Sequence, residues 1–315
     1  MSNIKTYTLN LNDEPNIRWK HILMENKEAC RNTIDELEKL ILSQVSVATY
    51  NILYYTINYL TPKSYIRYYD ELLSISEILE VSFDKIVIGQ LCYELFAACT
   101  AITCEYNNDQ TFFRTMDWPL ECLKDITIHL NVVKDGKQVY QGVTWIGYVG
   151  ILTGMKPYKY ALAVNFRRSD GSLYDNILKV LNMKWPISYL CREILESDYD
   201  LDKIKDDLEN FELISPCYII LCGIEKSHVI IRDSNSCKQI LSSDKYLIQT
   251  NKDPDGENNI MFSNERFDLA KKIINKNKEN FINDFKQYPI INQDTIYYTI
   301  MIPSKNKLIT NIILN

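Results

Sequence analysis

The hydrophobic period of this chain changes at Cys99, and that change limits what the chain can fold into. Upstream, apolar residues recur at helical spacing. "NTIDELEKLILSQVSVATYNILYYTI" reads as one helix, with Thr33 the expected N-cap and Glu36 three residues on. "SFDKIVIGQLCYELF" reads as a second, capped by Ser82, with Ile86, Ile88, Leu91 and Leu95 on its apolar side. From Cys99 onward the pattern is alternation. "TAITCEY", "NND" and "QTFFRTMDW" read as strand, turn and strand. "ITIHLNVV" alternates Ile126, Ile128 and Leu130 against Thr127, His129 and Asn131, and Asp135-Gly136 supplies a tight hairpin turn. "QVYQGVTWIGYVGILTG" and "YKYALAVNF" follow as strands, with Gly142, Gly147, Gly150 and Gly154 marking bulges or close backbone approach. Helical patterns return at Tyr174 to Leu195, broken at Pro186, at Leu201 to Phe211 and at Arg266 to Phe285. "PCYIILCG" with "HVIIRDS", then "DKYLIQTN", then "TIYYTIMI" with "KLITNIIL" complete the strands. Helices and antiparallel strands in separate blocks predict an α+β or layered α/β fold rather than a βαβ repeat. No strand leads into a glycine-rich phosphate loop, so a nucleotide-binding fold gains no support.

At 315 residues the chain can bury a large core, and 46% hydrophobic with 24% charged residues is ordinary for a globular protein. A net charge of -6 argues against nucleic acid as a partner, because phosphate neutralisation needs a basic face. No apolar run approaches the roughly 20 residues of a membrane span. The first twenty residues have no apolar core of the kind a secretory signal needs, and no asparagine heads an Asn-x-Ser/Thr sequon. With nine cysteines, an odd number, reduced thiols and a cytoplasmic rather than lysosomal location are expected. Cys92, Cys191, Cys217 and Cys222 sit in apolar runs and read as small core hydrophobes.

Cys99 has a different neighbourhood. A hairpin centred on Asn108 makes partner numbers sum to roughly 217, which sets Cys99 opposite Trp118 and Thr100 opposite Asp117. A carboxylate is thereby folded back beside a cysteine, with Arg114 on the same return strand. The pleat puts positions 114 and 117 on opposite faces, so both reach one site only if the return strand bulges or ends near Met116. Arg114 would favour the thiolate, which is the nucleophilic form, and Asp117 could orient the base that takes the thiol proton. A Cys–His pairing needs a histidine, and His21, His129 and His228 each read as surface or satisfied. A free α-amine, with a pKa near ~8, could serve if the chain were cut just before Cys99. Metal binding is the competing use of cysteine, but there is no CxxC pair, and Cys99 and Cys104 point to opposite faces. Neither a metal nor any other cofactor is expected.

"LCYELFAACTAITCEY", "RTMDW", "VTWIGYVGILTG", "IQTN" and "TIYYTIMI" resemble the family of acid ceramidase and N-acylethanolamine acid amidase, N-terminal-nucleophile cysteine hydrolases related to the choloylglycine hydrolases. The resemblance covers most of the chain, from "LNLNDEPNIRWKHI" to the C-terminal hairpin. It implies a four-layer αββα sandwich and a proenzyme that cuts itself between Ala98 and Cys99. The fragments would be a helical segment, 1–98, and a catalytic part, 99–315, held together as one globular domain. By the resemblance Cys99 is the nucleophile and its freed amine the base, Asp117 holds that amine, and Arg114 stabilises the thiolate. Asn251 matches the oxyanion-hole asparagine, and Arg266 in "NER" matches the arginine that follows it. The implied substrate is a fatty-acid amide such as an N-acylethanolamine or ceramide, with Met116, Trp118, Trp145, Tyr148 and Leu152 as acyl-chain lining. A lipid substrate also implies peripheral membrane contact.

The sequence departs from the family at several positions. The family's Asn-Glu-Arg is Asn165-Phe166-Arg167 here, so a glutamate is replaced by Phe166, and the asparagine of Arg-Asn-x-Asp is Thr115. Ala98 stands where relatives carry a larger apolar residue, and the cysteine-rich tail of acid ceramidase is absent. Two other readings stay open: an amidase or acyltransferase for another N-acyl substrate, such as an acyl-amino acid or a bile-salt-like amide, and a non-catalytic lipid-binding relative.

Overall fold

Two stacked β-sheets form the centre of the protein. The computed structural model describes residues 4–60, 62–92, 98–168, 179, 184–256, 260–276 and 281–314. The five-stranded sheet contains β2 (Ala98–Tyr106), β3 (Asp109–Asp117), β11 (Tyr246–Gln249), β12 (Thr295–Ile302) and β13 (Lys307–Ile312), in the order β11-β2-β3-β12-β13. The eight-stranded sheet runs β1 (Lys5–Asn10), β4 (Thr127–Lys134), β5 (Lys137–Trp145), β6 (Thr153–Lys156), β7 (Tyr160–Phe166), β8 (Cys217–Gly223), β9 (Ser227–Arg232), β10 (Cys237–Ser243).

Alternation along the strands explains the layering. On β7 and β8, Ala161, Ala163, Tyr218 and Ile220 point between the sheets and meet Ala101, Phe112 and Met301 of the other sheet. Their neighbours Tyr160, Leu162, Ile219 and Leu221 point the other way, into a core with Leu190, Leu195, Ile204 and Leu208. Those four belong to α7 (Ile187–Glu196) and α8 (Leu201–Asn210). On the far side, Ile102, Phe113, Ile248 and Tyr298 pack with Ala270 and Ile273 of α9 (Ser263–Asn275) and with Ile282 of α10 (Phe281–Asp284) and Phe285. The order helix, sheet, sheet, helix is the expected αββα sandwich.

The N-terminal segment carries α1 (Lys20–Glu25), α2 (Lys27–Gln44), α3 (Val47–Tyr55), α4 (Tyr69–Leu79) and α5 (Phe83–Gln90), and α6 (Leu123–Ile126) follows β3. The long helix expected from residue 33 differs in both its start and its continuity. Thr33 lies inside α2, where its hydroxyl donates to Ala29 O at 2.9 Å rather than capping. Val45 is extended, and Ser46 caps a separate helix by accepting from Thr49 N at 3.1 Å. Ser82 holds the N-cap position of α5 without a side-chain cap bond, and Leu95 lies outside the described residues. The helical pattern expected at Tyr174 to Leu195 falls partly outside the described residues; its described part begins after Pro186. The N-terminal segment also supplies a strand the helical reading omits, since β1 pairs in parallel with β4, Lys5 opposite Ile128.

The central hairpin is shifted by two from its expected register. Asn107 and Asn108 both adopt left-handed φ (53° and 62°), the two-residue turn that matches strand twist. The centre therefore falls between them, and Cys99 pairs with Met116 and Ala98 with Asp117. A shift of two keeps each side chain on its expected face. Nor does the β2–β3 pairing bulge; the register irregularity lies in β12, between Thr295 and Tyr297. Gly142, Gly150 and Gly154 mark close contacts as expected, whereas Gly147 instead supplies a positive φ of 81°: a Cβ on Gly142 would sit 2.8 Å from Thr153 O, and one on Gly150 would collide with Ser188.

Candidate active site

The start of β2 places Cys99 at the end of the sandwich, with polar groups on both faces of its strand. On the inter-sheet face, Arg114 Nη2 lies 3.4 Å from Cys99 Sγ. The guanidinium is fixed by Val164 O, accepting from Nη2 at 3.0 Å, and by the Tyr297 hydroxyl, accepting from Nη1 at 2.7 Å. Thr153 Oγ1 lies 3.0 Å from the same Tyr297 oxygen. A buried positive charge at that distance favours the thiolate.

On the opposite face, Asp117 accepts from Thr295 Oγ1 at 2.7 Å and from Thr115 Oγ1 at 3.2 Å. Arg266 Nη1 lies 3.7 Å from Oδ2, the oxygen that also accepts from Thr115. Burial pushes the Asp117 carboxyl above the ordinary aspartate range, outweighing Arg266 and the two hydroxyls. Thr115, in the place of the family's asparagine, thus holds Asp117 and also accepts from Thr100 N at 3.2 Å. Arg114 and Asp117 do not share a face; they flank Cys99 from two sides.

Asn251 and Arg266 complete the cluster. Cys99 N donates to Asn251 Oδ1 at 2.9 Å, and Asn251 Nδ2 donates to Phe166 O at 2.7 Å. Arg266 donates from Nη1 to Cys99 O (2.6 Å) and Thr100 Oγ1 (2.9 Å), and from Nη2 to Asn251 Oδ1 (3.0 Å). Cys99, Arg114, Asp117, Asn251 and Arg266 are all fully buried, so the five residues picked out in the sequence converge on one enclosed cluster.

The apolar candidates divide. Met116, Trp118, Trp145, Tyr148 and Leu152 share one core with Cys99, and the Trp145 ring packs edge-on against both Trp118 and Tyr148. Trp145 and Tyr148 also line a cavity of about 50 Å³ between α2, α4, α5 and the loop after β5. Met116, Trp118 and Leu152 do not line it. The histidines are engaged away from Cys99: His129 with Gln141, His228 with Ser242, His21 against Tyr7. Among the described residues, no cluster of three or more His, Cys, Asp or Glu is arranged to hold a metal.

Tyr297 and Thr295 are members that the sequence reading misses, and Asn165, named there only as the start of the Asn-Phe-Arg run, is a third. Asn165 Nδ2 donates to Gln249 O at 2.8 Å and approaches Cys99 O at 3.5 Å. "TIYYTIMI" carries two adjacent tyrosines, and only the stacking of the sheets decides which one meets Arg114.

This arrangement, a sandwich of the N-terminal nucleophile type with a thiol, a guanidinium and an amide gathered at one strand end, is that of a hydrolase of amide bonds. The chain belongs to the linear amide C–N hydrolases of the choloylglycine hydrolase family, which matches residues 99–283, and it acts on carbon–nitrogen bonds in linear amides. It is 32% identical to an uncharacterized protein of Acanthamoeba polyphaga mimivirus, over 97% of this chain and 98% of that one. It is 26% identical to the N-acylethanolamine-hydrolyzing acid amidase of Caenorhabditis elegans, covering 94% of this chain and 88% of the relative. It is also 26% identical to acid ceramidase of Homo sapiens, covering 96% and 85%. The solved structure of the Caenorhabditis elegans amidase superposes with a TM-score of 0.60 at 28% identity, over 69% of this chain and 100% of that chain.

Proposed function

We propose that this chain is a self-processing cysteine amidase that hydrolyses fatty-acid amides, of the N-acylethanolamine or ceramide type, through a thioester. The carrying observation is the setting of Cys99: Sγ 3.4 Å from Arg114 Nη2, the backbone N–H 2.9 Å from Asn251 Oδ1, and the family match beginning at that residue.

In the intact chain Cys99 is fully buried, so substrate reaches it only after the site opens, and self-cleavage is the step that opens it. The thiolate attacks the Ala98 carbonyl, the Ala98–Cys99 C–N bond breaks, and the acyl group passes to sulfur while the nitrogen takes a proton. Water then hydrolyses that thioester, leaving a carboxylate at Ala98 and a free thiol and amine at Cys99. In turnover the new amine takes the thiol proton, the thiolate attacks the substrate amide, and the leaving amine receives that proton. Water releases the fatty acid.

Each polar neighbour has a role. Arg114 stabilises the thiolate, Asp117 and Arg266 order the amine end, and Asn251 supplies the oxyanion donor. Its NH₂ group carries two donors; Phe166 O occupies one and the second is left for the oxyanion. The relatives named for N-acylethanolamine and ceramide hydrolysis support a lipid amide as substrate. So does the apolar wall of Trp145 and Tyr148. The cavity beside them is only about 50 Å³, so an acyl chain needs the N-terminal helices to part from that wall.

Exposed Val47, Ile52, Tyr55 and Tyr59 on α3 and the turn after it form an aromatic-rich face suited to peripheral contact with a bilayer, which would bring the lipid to that wall.

The test is intact mass before and after incubation across a range of pH. The expected products end at Ala98 and begin at Cys99, and Cys99→Ala abolishes both cutting and hydrolysis. A wild-type chain that stays whole at every pH and hydrolyses no fatty amide would sink the reading.

A further inference from the structure

A second polar cluster lies directly behind Asn251, among residues that do not touch Cys99. Asp253 is fully buried and accepts from Arg167, Tyr218 and Lys238. Arg167 forks onto it, Nε to Oδ1 at 2.8 Å and Nη2 to Oδ2 at 2.7 Å. The Tyr218 hydroxyl donates to Oδ1 at 2.8 Å and Lys238 Nζ to Oδ2 at 2.7 Å. Burial pushes the Asp253 carboxyl up, but Arg167, Lys238 and Tyr218 outweigh it and hold it well below the usual range. Arg167 also pairs with Asp233, at 2.5 Å.

The partners fall in register. Asn165 Nδ2 donates to Gln249 O at 2.8 Å, Asn251 Nδ2 to Phe166 O at 2.7 Å, and Arg167 to Asp253. Three successive residues at the end of β7, in one sheet, are thus tied to alternate residues that leave β11, in the other. β11 is an edge strand whose pairing with β2 ends at Gln249, so beyond that point side chains rather than a backbone ladder fix the chain. Asn251 N adds a bond to Ser263 Oγ at 3.1 Å. The tie uses only the backbone carbonyl of Phe166, so the loss of the family's glutamate at that position leaves it intact.

We propose that Arg167 and Asp253 are positioning residues, a clasp between the two sheets that sets the angle at which the Asn251 amide meets the reacting carbonyl. This rests on the reading of Asn251 as the oxyanion donor. Such a donor acts only when held to within about half an ångström of the productive geometry, and the bidentate pair two residues away supplies that rigidity.

The test compares Asn251→Ala, Asp253→Asn, Tyr218→Phe and the double variant Asn251→Ala/Asp253→Asn in the full chain, with N-palmitoylethanolamine as substrate. Asp253→Asn is expected to lower kcat by about tenfold to a hundredfold with KM within about twofold, a loss below or equal to that of removing the donor itself. Tyr218→Phe keeps its ring in the core and loses one bond to Asp253; the fold is expected to be retained with the melting temperature lowered by a few degrees at most, and kcat to fall by roughly threefold to tenfold. This variant decides the matter if Asp253→Asn does not fold. In the Asn251→Ala background, Asp253→Asn should cost little more, because its effect passes through a group already removed. Losses that multiply in the double variant, an effect on KM alone, or unchanged kcat in Tyr218→Phe would overturn the clasp. An Asn251→Ala chain with wild-type kcat would instead overturn the oxyanion reading beneath it.

Discussion

Glu71 and Arg192 form a bidentate ion pair inside the protein, with Arg192 Nη1 2.8 Å from Oε2 and Nη2 2.8 Å from Oε1. The pair joins α4 to α7, one on each side of the proposed cut. Trp19 Nε1 and Arg18 Nη1 donate to the same carboxylate at 2.9 and 2.8 Å, and Arg192 also donates to Val149 O at 3.1 Å. Gln90 clamps the same loop, donating to Gly147 O at 3.0 Å and accepting from Val149 N at 2.9 Å. The two fragments would therefore stay associated without a disulfide. Glu71→Gln leaves the buried Arg192 guanidinium with only the part-exposed Glu196, at 2.7 Å, as a carboxylate partner and is expected to destabilise the protein by up to about 3–5 kcal/mol. Urea unfolding and gel filtration of the cut protein check this; co-migrating fragments in wild type and a dissociating N-terminal fragment in the variant are the expected result. Burial pushes the Glu71 carboxyl up, but its cationic and indole partners outweigh it and lower its pKa. Stability from this pair is thus complete above the ordinary glutamate value of about 4.3 and is lost as pH falls through the lower folded value.

Asp117 shifts the other way, and the consequence is a pH profile. Its carboxyl sits above the ordinary aspartate range because burial outweighs Arg266, Thr295 and Thr115. A raised folded pKa means that its contribution to stability is present below the unfolded value of about 3.9 and is lost as pH rises through the folded value. Its role with the amine, which exists only after the cut, needs the charged form, so amide hydrolysis by the cut protein should fall as the solution is acidified, at a pH above the usual value of about 3.9. Thr295→Val removes the 2.7 Å donor to Oδ1 and should move that acid limb to still higher pH. Hydrolysis rates of the cut protein across pH check the direction; a limb that moves down or stays put removes Asp117 from the role.

Much of this arrangement is legible in the sequence, and the rest fails for identifiable reasons. The change of period at Cys99 marks the passage from helices to sheets, because burial on one face imposes its period on a strand or a helix. The hairpin register misses by two because two asparagines share the turn, yet the alternation of faces survives, so Arg114 is correctly set on the thiol side. β1 escapes notice because it is short and pairs in parallel with a strand more than a hundred residues away. The Arg167–Asp253 clasp escapes because nothing local links the two positions; only the stacking of the sheets brings them together. Resemblance to a known family points to Asn251 and Arg266, which spacing alone would not have singled out.

Tyr297 is the residue whose importance the strand pattern hides, and it can be tested through the thiol. Tyr297→Phe removes the acceptor of Arg114 Nη1 at 2.7 Å. Loss of a hydrogen bond to a charged group is worth about 1.5–3 kcal/mol, so kcat should fall by at least about tenfold. In the cut protein at neutral pH, Cys99 should be the fastest site of iodoacetamide labelling, since burial pushes the thiols of Cys30 and Cys222 up to about 12. Labelling of Cys99, read by peptide mass, should slow in Tyr297→Phe as the guanidinium loses its fixed position. Equal labelling rates in the two proteins would separate Tyr297 from thiolate stabilisation.

The face of α3 should govern access to membrane-dissolved substrate. Val47, Ile52, Tyr55 and Tyr59 are exposed, while Tyr50, Leu53 and Ile57 of the same segment are buried, so the segment is apolar on both sides. The Tyr55 and Tyr59 rings lie 5.0 Å apart, an aromatic pair of the kind that settles at the level of lipid headgroups. No helix among the described residues is long and apolar enough to cross a membrane. Ile52→Ser with Tyr59→Ser removes two of the four apolar anchors and should weaken binding to phosphatidylcholine vesicles by about tenfold or more, since each 1.4 kcal/mol of lost burial is tenfold. Both positions face away from the core, so folding and the rate of self-cleavage should be unchanged. Vesicle sedimentation, set beside hydrolysis of the same N-acylethanolamine in vesicles and in detergent, separates the outcomes. Loss confined to vesicles supports the membrane face, and equal loss in detergent would show instead that these side chains act on the site.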